Sequence, residues 1–224
     1  MRRAFLFLIL GTTVFLNGCA SVSVRPKYDK LHGSSNPAAI LVEDFHVDEA
    51  AMRVDRTGEE LRQFKQDLES QLSEDTAQAL ERLGRPVRRT RDANVHEMSR
   101  QPAWLVKGRV TSVEQGSRML RSLIGFGAGR TKMETEVEIY DLTQADHGAA
   151  LMFQTSGGSG AEPGALVSLN PVLMVVKATL TATNTGPSAD SKRTARMIAA
   201  YISEALAAHG FLDQKNVRKA KVKL

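Results

Sequence analysis

Two neighbouring segments of this 224-residue chain alternate apolar and polar side chains along their length. The first runs from Trp104 to Val113, and the second covers residues 131–142. Strict alternation places one face of a strand in a core and the other in solvent, so the two segments predict an antiparallel hairpin. If their outer faces coincide, Lys107 and Arg109 lie opposite a row of glutamates, and such pairs help to fix the register. The row consists of Glu134, Glu136 and Glu138.

Two segments with helical periodicity accompany the hairpin. Residues from Leu61 to Leu83 carry apolar side chains at three- and four-residue steps, which predicts one long amphipathic helix. Thr57 and Glu60 precede it in the pattern of a capping box, with Thr57 as the N-cap. A second amphipathic helix is predicted over residues 191–209. A glycine follows each helix and is expected to end it.

Three shorter segments complete the predicted sheet. The apolar run 38–42 is typical of a central strand that is covered on both faces. Residues 86–90 predict an arginine-rich edge strand, residues 149–155 a further strand, and residues 156–160 a glycine-serine linker. This order of elements predicts a single α/β domain over residues 38–212, with an α+β two-layer arrangement. In it, a mixed β-sheet carries the helices mainly on one face.

The N-terminus has the layout of a lipoprotein signal peptide, predicted over residues 1–18. Two arginines precede an apolar core of about 13 residues, which is too short to span a bilayer. The chain continues with Leu16, Asn17, Gly18 and Cys19, which resembles a bacterial lipobox. Because Cys19 is the only cysteine and stands at the expected cleavage site, we expect cleavage before it. The resemblance implies a covalent lipid on this cysteine, including palmitate.

The lipobox also predicts a location and two flexible ends. Position 20 is alanine rather than aspartate, which in Gram-negative lipoproteins implies the outer membrane and its periplasmic face. Polar residues with Pro26 and Pro37 follow, so residues 19–37 are expected to form a flexible tether. Residues 213–224 carry five basic side chains and are expected to form a mobile tail. The net charge of +5 therefore lies largely in this tail, which argues against a nucleic-acid-binding face.

Glycines recur between the two alternating segments, at positions 125, 127 and 129. The surrounding sequence lacks the lysine of a Walker loop. The glycine spacing also differs from that of a dinucleotide-binding fingerprint, and a strand rather than a helix follows. We therefore expect no phosphate-binding role for these glycines, which more simply allow a tight turn between strands.

Two apolar stretches, residues 119–126 and 165–176, are candidate contact segments. Each either packs into the core or forms an exposed patch that binds a partner or the bilayer surface. In and beside the first stretch, the candidate loop for partner or membrane contact consists of Leu123, Ile124, Gly125, Phe126, Gly127 and Gly129.

Four short segments carry a resemblance to a family. They are residues 106–110, 124–129, 137–141 and 193–199, within a stretch that covers residues 38–210. In these residues the chain resembles an uncharacterised bacterial lipoprotein family called domain of unknown function 4410. The resemblance implies a fold related to the N-terminal domain of TolB and to curli-secretion-type lipoproteins. It implies no established activity, so no catalytic residue is carried over.

The chain has no arrangement of side chains typical of a catalytic or metal site. Its five histidines lack the spacing of metal ligands, and no nucleophile elbow occurs. Asp44 and His46 alternate near Glu43, which is more typical of a solvated strand end than of a site. We therefore expect a protein that is not an enzyme, with no metal and no nucleic-acid partner. We expect no cofactor apart from the covalent lipid on Cys19.

These observations favour a non-catalytic interaction or assembly module of the cell envelope, anchored in the outer membrane by its lipid and bound to an envelope protein. A first alternative is a subunit of an oligomeric secretion channel or envelope transport complex. In that homo-oligomer the 104–142 hairpin would pair with neighbouring copies. A second alternative is a carrier of a small ligand, which requires a polar pocket.

Overall fold

The computed structural model describes residues 21–90, 101–115, 131–144, 148–158 and 187–223. The strands in these residues are β1 (Ser21–Asp29), β2 (Ala39–Glu43), β3 (His46–Val47), β4 (Met52–Arg53), β5 (Val87–Thr90), β6 (Ala103–Gln115), β7 (Thr131–Asp141) and β8 (Leu151–Gly158). The α-helices are α1 (Gly58–Glu81) and α2 (Pro187–Ala208), and short 3-10 turns cover Glu49–Ala51 and Gln214–Asn216. Of the helices described, none is long and apolar enough to cross a membrane.

The strands form one mixed sheet in the order β1-β8-β7-β6-β2-β5, with β3 and β4 also paired to β6. Strands β1, β8, β7 and β6 are antiparallel neighbours, whereas β2 is parallel to both β5 and β6. Helices α1 and α2 pack against each other and against one face of the sheet. The predicted α/β class, with a mixed sheet and helices on one face, is confirmed. The arginine-rich strand β5 lies at an edge, as its sequence predicts.

The core lies between the sheet and the two helices, and Trp104 is its largest fully buried side chain. Trp104 Nε1 donates a hydrogen bond to the carbonyl oxygen of Ser35 at 3.2 Å, and its ring meets Phe211 edge-on at 6.2 Å. Farther along the same face of β6, the ring of Phe45 fills the space beside Gly108. A Cβ atom at position 108 would lie only 2.0 Å from that ring, so this packing requires glycine.

Helix α1 begins and ends where the sequence predicts, but no capping box closes its N-terminus. Thr57 is the N-cap residue, yet its side chain makes no capping hydrogen bond. Glu60 lies 3.4 Å from the guanidinium of Arg56, which draws its carboxylate away from the role that the capping box predicts. The predicted stops are confirmed: Gly84 follows α1 with φ of 74°, and Gly210 follows α2 with φ of 76°.

Strands β6 and β7 form the predicted antiparallel hairpin, and their outer faces coincide. Arg109 lies opposite Glu136, and Nη2 of Arg109 donates to Oε1 of the glutamate at 3.1 Å. Lys107 lies opposite Glu138, but its ammonium group is 2.9 Å from the carboxylate of Glu43 on β2. The charge pairs of the hairpin therefore extend to a third strand.

The prediction of a flexible tether over residues 19–37 is wrong for residues 21–29, which form β1. Strand β1 pairs with β8, and Val22 and Val24 are buried. Serine and valine alternate at the start of β1, and this pattern favours a strand. Pro26 does not end the strand, but the register with β8 shifts beside it. The folded domain therefore includes Ser21, whereas the sequence predicted that it starts at residue 38.

The basic C-terminal tail, predicted to be mobile, packs against the domain. The amide of Val24 donates to the carbonyl of Lys221 at 2.7 Å, and the amide of Lys223 donates to the carbonyl of Val24 at 2.8 Å. Helix α2 also holds the tail, because Ser203 Oγ accepts from the amide of Arg218 at 3.0 Å. The prediction of mobility is wrong for the described tail, because backbone groups at the edge of β1 form hydrogen bonds with it. These bonds do not depend on the charge of the tail side chains.

The predicted glycine-serine linker is wrong for residues 156–158, which belong to β8. At Gly158 a Cβ atom would lie 2.1 Å from the carbonyl oxygen of Thr131 on the neighbouring strand β7. The glycine therefore permits a close approach of two strands rather than chain flexibility.

Candidate functional site

The predicted lipid site and contact segments lie outside the described residues. This holds for Cys19 and its lipobox residues Leu16, Asn17 and Gly18, for the loop residues Leu123, Ile124, Gly125, Phe126, Gly127 and Gly129, and for residues 165–176. The structure does describe the residues that flank these segments in the sequence.

These flanking residues all lie at one end of the sheet. Ser21 is the first described residue after the lipid site, and it pairs with Gly158 at the end of β8. Gln115 and Thr131, on either side of the candidate contact loop, pair with each other. Pro187 begins α2 and follows the second apolar stretch. The described residues that flank these three segments therefore lie at the same end of the sheet.

One row of paired residues crosses the sheet at this end. Ser21 pairs with Gly158, Gly158 pairs with Lys132, and Lys132 pairs with Glu114. Arg53 on β4 extends the row, because it pairs with Glu114 from the other side. We call the end of the domain marked by these five residues the Ser21 end.

A buried polar cluster fixes the start of α2 to the Ser21 end. The carboxylate of Asp190, in the first turn of α2, is buried, with 3% of the residue exposed. The hydroxyl of Thr131 donates to one oxygen of this carboxylate, and Arg193 Nη2 donates to the other at 2.5 Å. A carboxylate in the first turn of a helix is also stabilised by the positive end of the helix dipole. The periodicity of the sequence did not single out this cluster; an acidic residue in a first turn was its only signal.

The open face of the sheet, turned away from the helices, carries charges that are paired with one another. Glu136 accepts from Arg109 at 3.1 Å and from Gln154 Nε2 at 3.3 Å. Glu134 on the same strand lies 3.0 Å from the ammonium group of Lys132. Among the described residues of this face, Arg109 on β6 and Lys132 on β7 therefore each lie beside a glutamate of β7.

Tyr140 joins a small apolar cluster at the far end of this open face. Its ring packs against Leu41 and Leu105, which are both buried. Burial and a hydrogen bond to Glu138 raise the pKa of Tyr140 to about 12. The phenol donates that bond to Glu138 Oε2 at 2.8 Å. Near neutral pH the phenol is therefore a protonated hydrogen-bond donor and not a base.

A shallow polar groove of about 160 Å³ lies where the C-terminal tail meets the open face. Hydroxyl, amide and charged groups line it, among them Ser23, Arg25, Glu134, Gln154, Ser156 and Lys223. Ligand pockets in proteins commonly have volumes of about 300–1,000 Å³. The groove can accept a small polar molecule but is smaller than the pockets that usually enclose a ligand.

Asp44 and His46, which alternate near a strand end, each have a polar side-chain partner. Arg89 Nη2 donates to Asp44 at 2.6 Å, and His46 Nε2 lies 2.9 Å from Asp48. Within the described parts of the chain, no group of three or more histidine, cysteine, aspartate or glutamate residues is placed to hold a metal ion.

A cluster around Asp141 was missed by sequence reasoning. Burial alone would raise the pKa of Asp141, but hydrogen bonds from Thr143 and Ser35 lower it. The amide of Ser35 donates to Oδ2 at 2.7 Å, and Thr143 Oγ1 donates to Oδ1 at 2.7 Å. These bonds attach the loop after β1 to the end of β7, at the opposite end of the sheet from Ser21.

The fold and these surfaces define a two-layer α/β domain with its helices on one face. Residues 40–176 match the model of a family described as domain of unknown function (DUF4410). The match covers more than half of the sequence, so the chain belongs to this family, and the predicted family resemblance is confirmed. A comparison with curated proteins finds no significant match.

Two of the solved structures to which this chain is similar are distant from it in sequence. The PelC dodecamer from Paraburkholderia phytofirmans is 12% identical, with a TM-score of 0.42, and the alignment covers 71% of this chain and 91% of that chain. The hypothetical protein CT253 from Chlamydia trachomatis is 11% identical, with a TM-score of 0.40 and coverage of 77% and 99%. At this distance nothing follows from them about the activity or partners of this chain.

Proposed function

We propose that this protein is a lipid-anchored protein of the outer membrane, facing the periplasm, and acts as a non-catalytic interaction module of the cell envelope. One observation carries the proposal: the lipobox cysteine stands two residues before Ser21, the first residue of a strand built into the sheet. Cleavage before Cys19 would leave β1 intact, and acyl chains on Cys19 would hold a folded domain at the membrane. Two or three acyl chains are enough for stable anchoring.

The edges of the sheet support a role in protein binding. Among the described residues, β5 is paired with a neighbour on one side only, and Arg88 on it is exposed. The backbone N–H and C=O groups of an unpaired strand edge can accept a strand from another protein. The opposite edge, β1, is covered at Val24 by the C-terminal tail. On this proposal, an envelope protein binds along β5.

The alternative of a channel subunit needs a different contact from the one the sequence suggests. There the 104–142 hairpin pairs with neighbouring copies, but β6 is already paired with β2, and β7 with β8. On this alternative a homo-oligomer would therefore use β5 or another surface for its contacts. The ligand-carrier alternative depends on the groove lined by Ser23 and Arg25.

Crosslinking in cells tests the interaction role. A photo-crosslinking residue replaces Arg88 on β5, and the matched control replaces Arg82, an exposed arginine after α1. The proposal predicts a discrete heteromeric product from position 88 that is absent from position 82 and is lost in the Cys19→Ser protein. A ladder of multiples of the chain mass would favour the channel alternative. A monomer at both positions would contradict binding along β5.

The candidate contact loop gives a second test. If Leu123 and Phe126 belong to an exposed contact, replacing both with serine leaves the melting temperature unchanged and abolishes partner or membrane capture. If they pack into the core, the same substitutions lower the melting temperature by several degrees, because buried apolar area is lost. Differential scanning calorimetry and the crosslinking yield, measured on the same preparation, separate the two outcomes.

A further inference from the structure

The first described residue after Cys19, Ser21, belongs to the folded sheet. Only Ala20 stands between Cys19 and Ser21. Strand β1 is held from its first residue, because Ser21 pairs with Gly158 and the next residue, Val22, is buried. An attachment at Cys19 would therefore act on one defined end of a rigid sheet rather than through a long flexible linker.

Resting on the proposed lipid at Cys19, we infer that the Ser21 end of the domain lies directly against the phospholipid headgroups of the anchoring leaflet. Two residues of extended chain span at most about 7 Å. The polar headgroup layer on each side of a bilayer is about 5–8 Å thick. A lipid on Cys19 thus brings Ser21, which is one end of the row across the sheet, within reach of that layer.

The chemistry of the Ser21 end suits a phospholipid surface. The side chain of Arg53 is 81% exposed. That of Lys132, whose ammonium group lies 3.0 Å from Glu134, is 47% exposed. The ammonium group of Lys221 lies 3.4 Å from Ser21 Oγ, which places the basic tail at the same end. Guanidinium and ammonium groups donate hydrogen bonds to phosphate oxygens. The exposed contact between Arg53 and Glu114, at 3.4 Å, leaves the guanidinium free to turn towards a headgroup.

The opposite end of the domain provides the internal control. Helix α1 begins near the Ser21 end, where Arg56 donates to Gln115, and it has 24 residues. At a rise of 1.5 Å per residue it is about 36 Å long. Arg82 follows its last turn and is exposed. A bilayer under the Ser21 end is close to Arg53 and far from Arg82.

Fluorescence quenching from lipid headgroups tests this orientation. The lipidated full-length protein carries a single added cysteine, Arg53→Cys or Arg82→Cys, labelled with bimane; acylated Cys19 does not react. The proteins are reconstituted into vesicles of phosphatidylethanolamine and phosphatidylglycerol that contain a nitroxide-labelled headgroup lipid. We expect at least threefold stronger quenching at position 53 than at position 82. Lys132→Cys serves as a second probe of the same end if Arg53→Cys perturbs folding.

A spacer variant makes the test specific for the short connection. Twenty glycine and serine residues inserted between Ala20 and Ser21 leave the lipobox and β1 unchanged, and should lower quenching at position 53 to the level at position 82. Equal quenching at both positions without the spacer, or no effect of the spacer, would overturn the inference. Mass spectrometry of the same protein checks the lipid. Absence of acyl chains on Cys19 would instead overturn the proposed function, whereas equal quenching of an acylated protein overturns only the orientation.

Discussion

The two faces of the sheet are built from the same strands but are stabilised differently. On the face under α1 and α2, Trp104 and Phe153 have no exposed surface, and burial of apolar area dominates. On the open face, Arg109 has a side chain that is 56% exposed and pairs with Glu136, which is 17% exposed. Exposed ion pairs contribute little, about 0–1 kcal/mol each. Substitutions of neighbouring residues in one strand should therefore differ severalfold in how much they lower the free energy of unfolding.

The largest effect is expected at Trp104 on the covered face. Trp104→Ala removes the largest fully buried side chain and its contact with Phe211, and should lower the free energy of unfolding by about 3–5 kcal/mol. Urea denaturation followed by far-UV circular dichroism measures the change. The control, Lys107→Ala on the open face of the same strand, should cost about 0–1 kcal/mol. Equal losses for both variants would break the distinction between the faces.

The buried cluster at the start of α2 should give the next largest effect. Asp190→Ala removes the carboxylate that Thr131 and Arg193 contact, and a loss of about 1–3 kcal/mol is expected. Lys192→Ala, an exposed neighbour on the same helix, should change stability by less than about 0.5 kcal/mol. Thermal unfolding of both variants measures the difference. If Asp190→Ala left the free energy of unfolding unchanged, that result would contradict the view that this cluster fixes α2 to β7.

A charge pair on the open face should have a smaller effect. Arg109→Ala is expected to cost about 0.2–1 kcal/mol, less at high salt, because the pair with Glu136 is exposed on one side. A double-mutant cycle with Glu136→Ala, measured at low and high salt, isolates the interaction. A coupling above about 2 kcal/mol would mean that the open face stabilises the fold as strongly as the covered face.

The last effect, a change in how stability depends on pH above about 10, is expected at Tyr140. Its pKa is raised in the folded protein to about 12, so the folded state holds the phenol proton more tightly than the unfolded chain does. The resulting stabilisation is complete below the ordinary pKa of 10.0 and is lost as pH rises through about 12. Tyr140→Phe should therefore show a weaker fall of stability than the unsubstituted protein above pH 10. Parallel pH profiles for the two proteins would contradict the raised pKa.

Local signals in the sequence predicted much of the fold because they do not depend on distant residues. Alternation predicted β6 and β7, and the glycines after each helix predicted where α1 and α2 end. The register followed from the same pattern, since Arg109 and Glu136 are on matching faces. These features follow from side-chain periodicity and backbone sterics within a few residues.

The errors come from contacts between distant parts of the chain. Strand β1 is a strand because β8, about 130 residues later, pairs with it, and the tail is ordered because it binds the edge at Val24. The capping box at Thr57 fails because Arg56 competes for Glu60. For the candidate site, the sequence predicted the lipid cysteine but not the end of the sheet beside it. That end depends on pairing among five strands.

The central claim is that Cys19 is acylated and is the first residue of the mature protein. Intact-mass and peptide mass spectrometry of the protein purified from the outer-membrane fraction tests it most directly. The account predicts an N-terminal peptide that begins at Cys19 and carries a diacylglyceryl thioether, with the mass of residues 1–18 missing. A chain that retains these residues, or a mature chain with an unmodified Cys19 thiol, would contradict it.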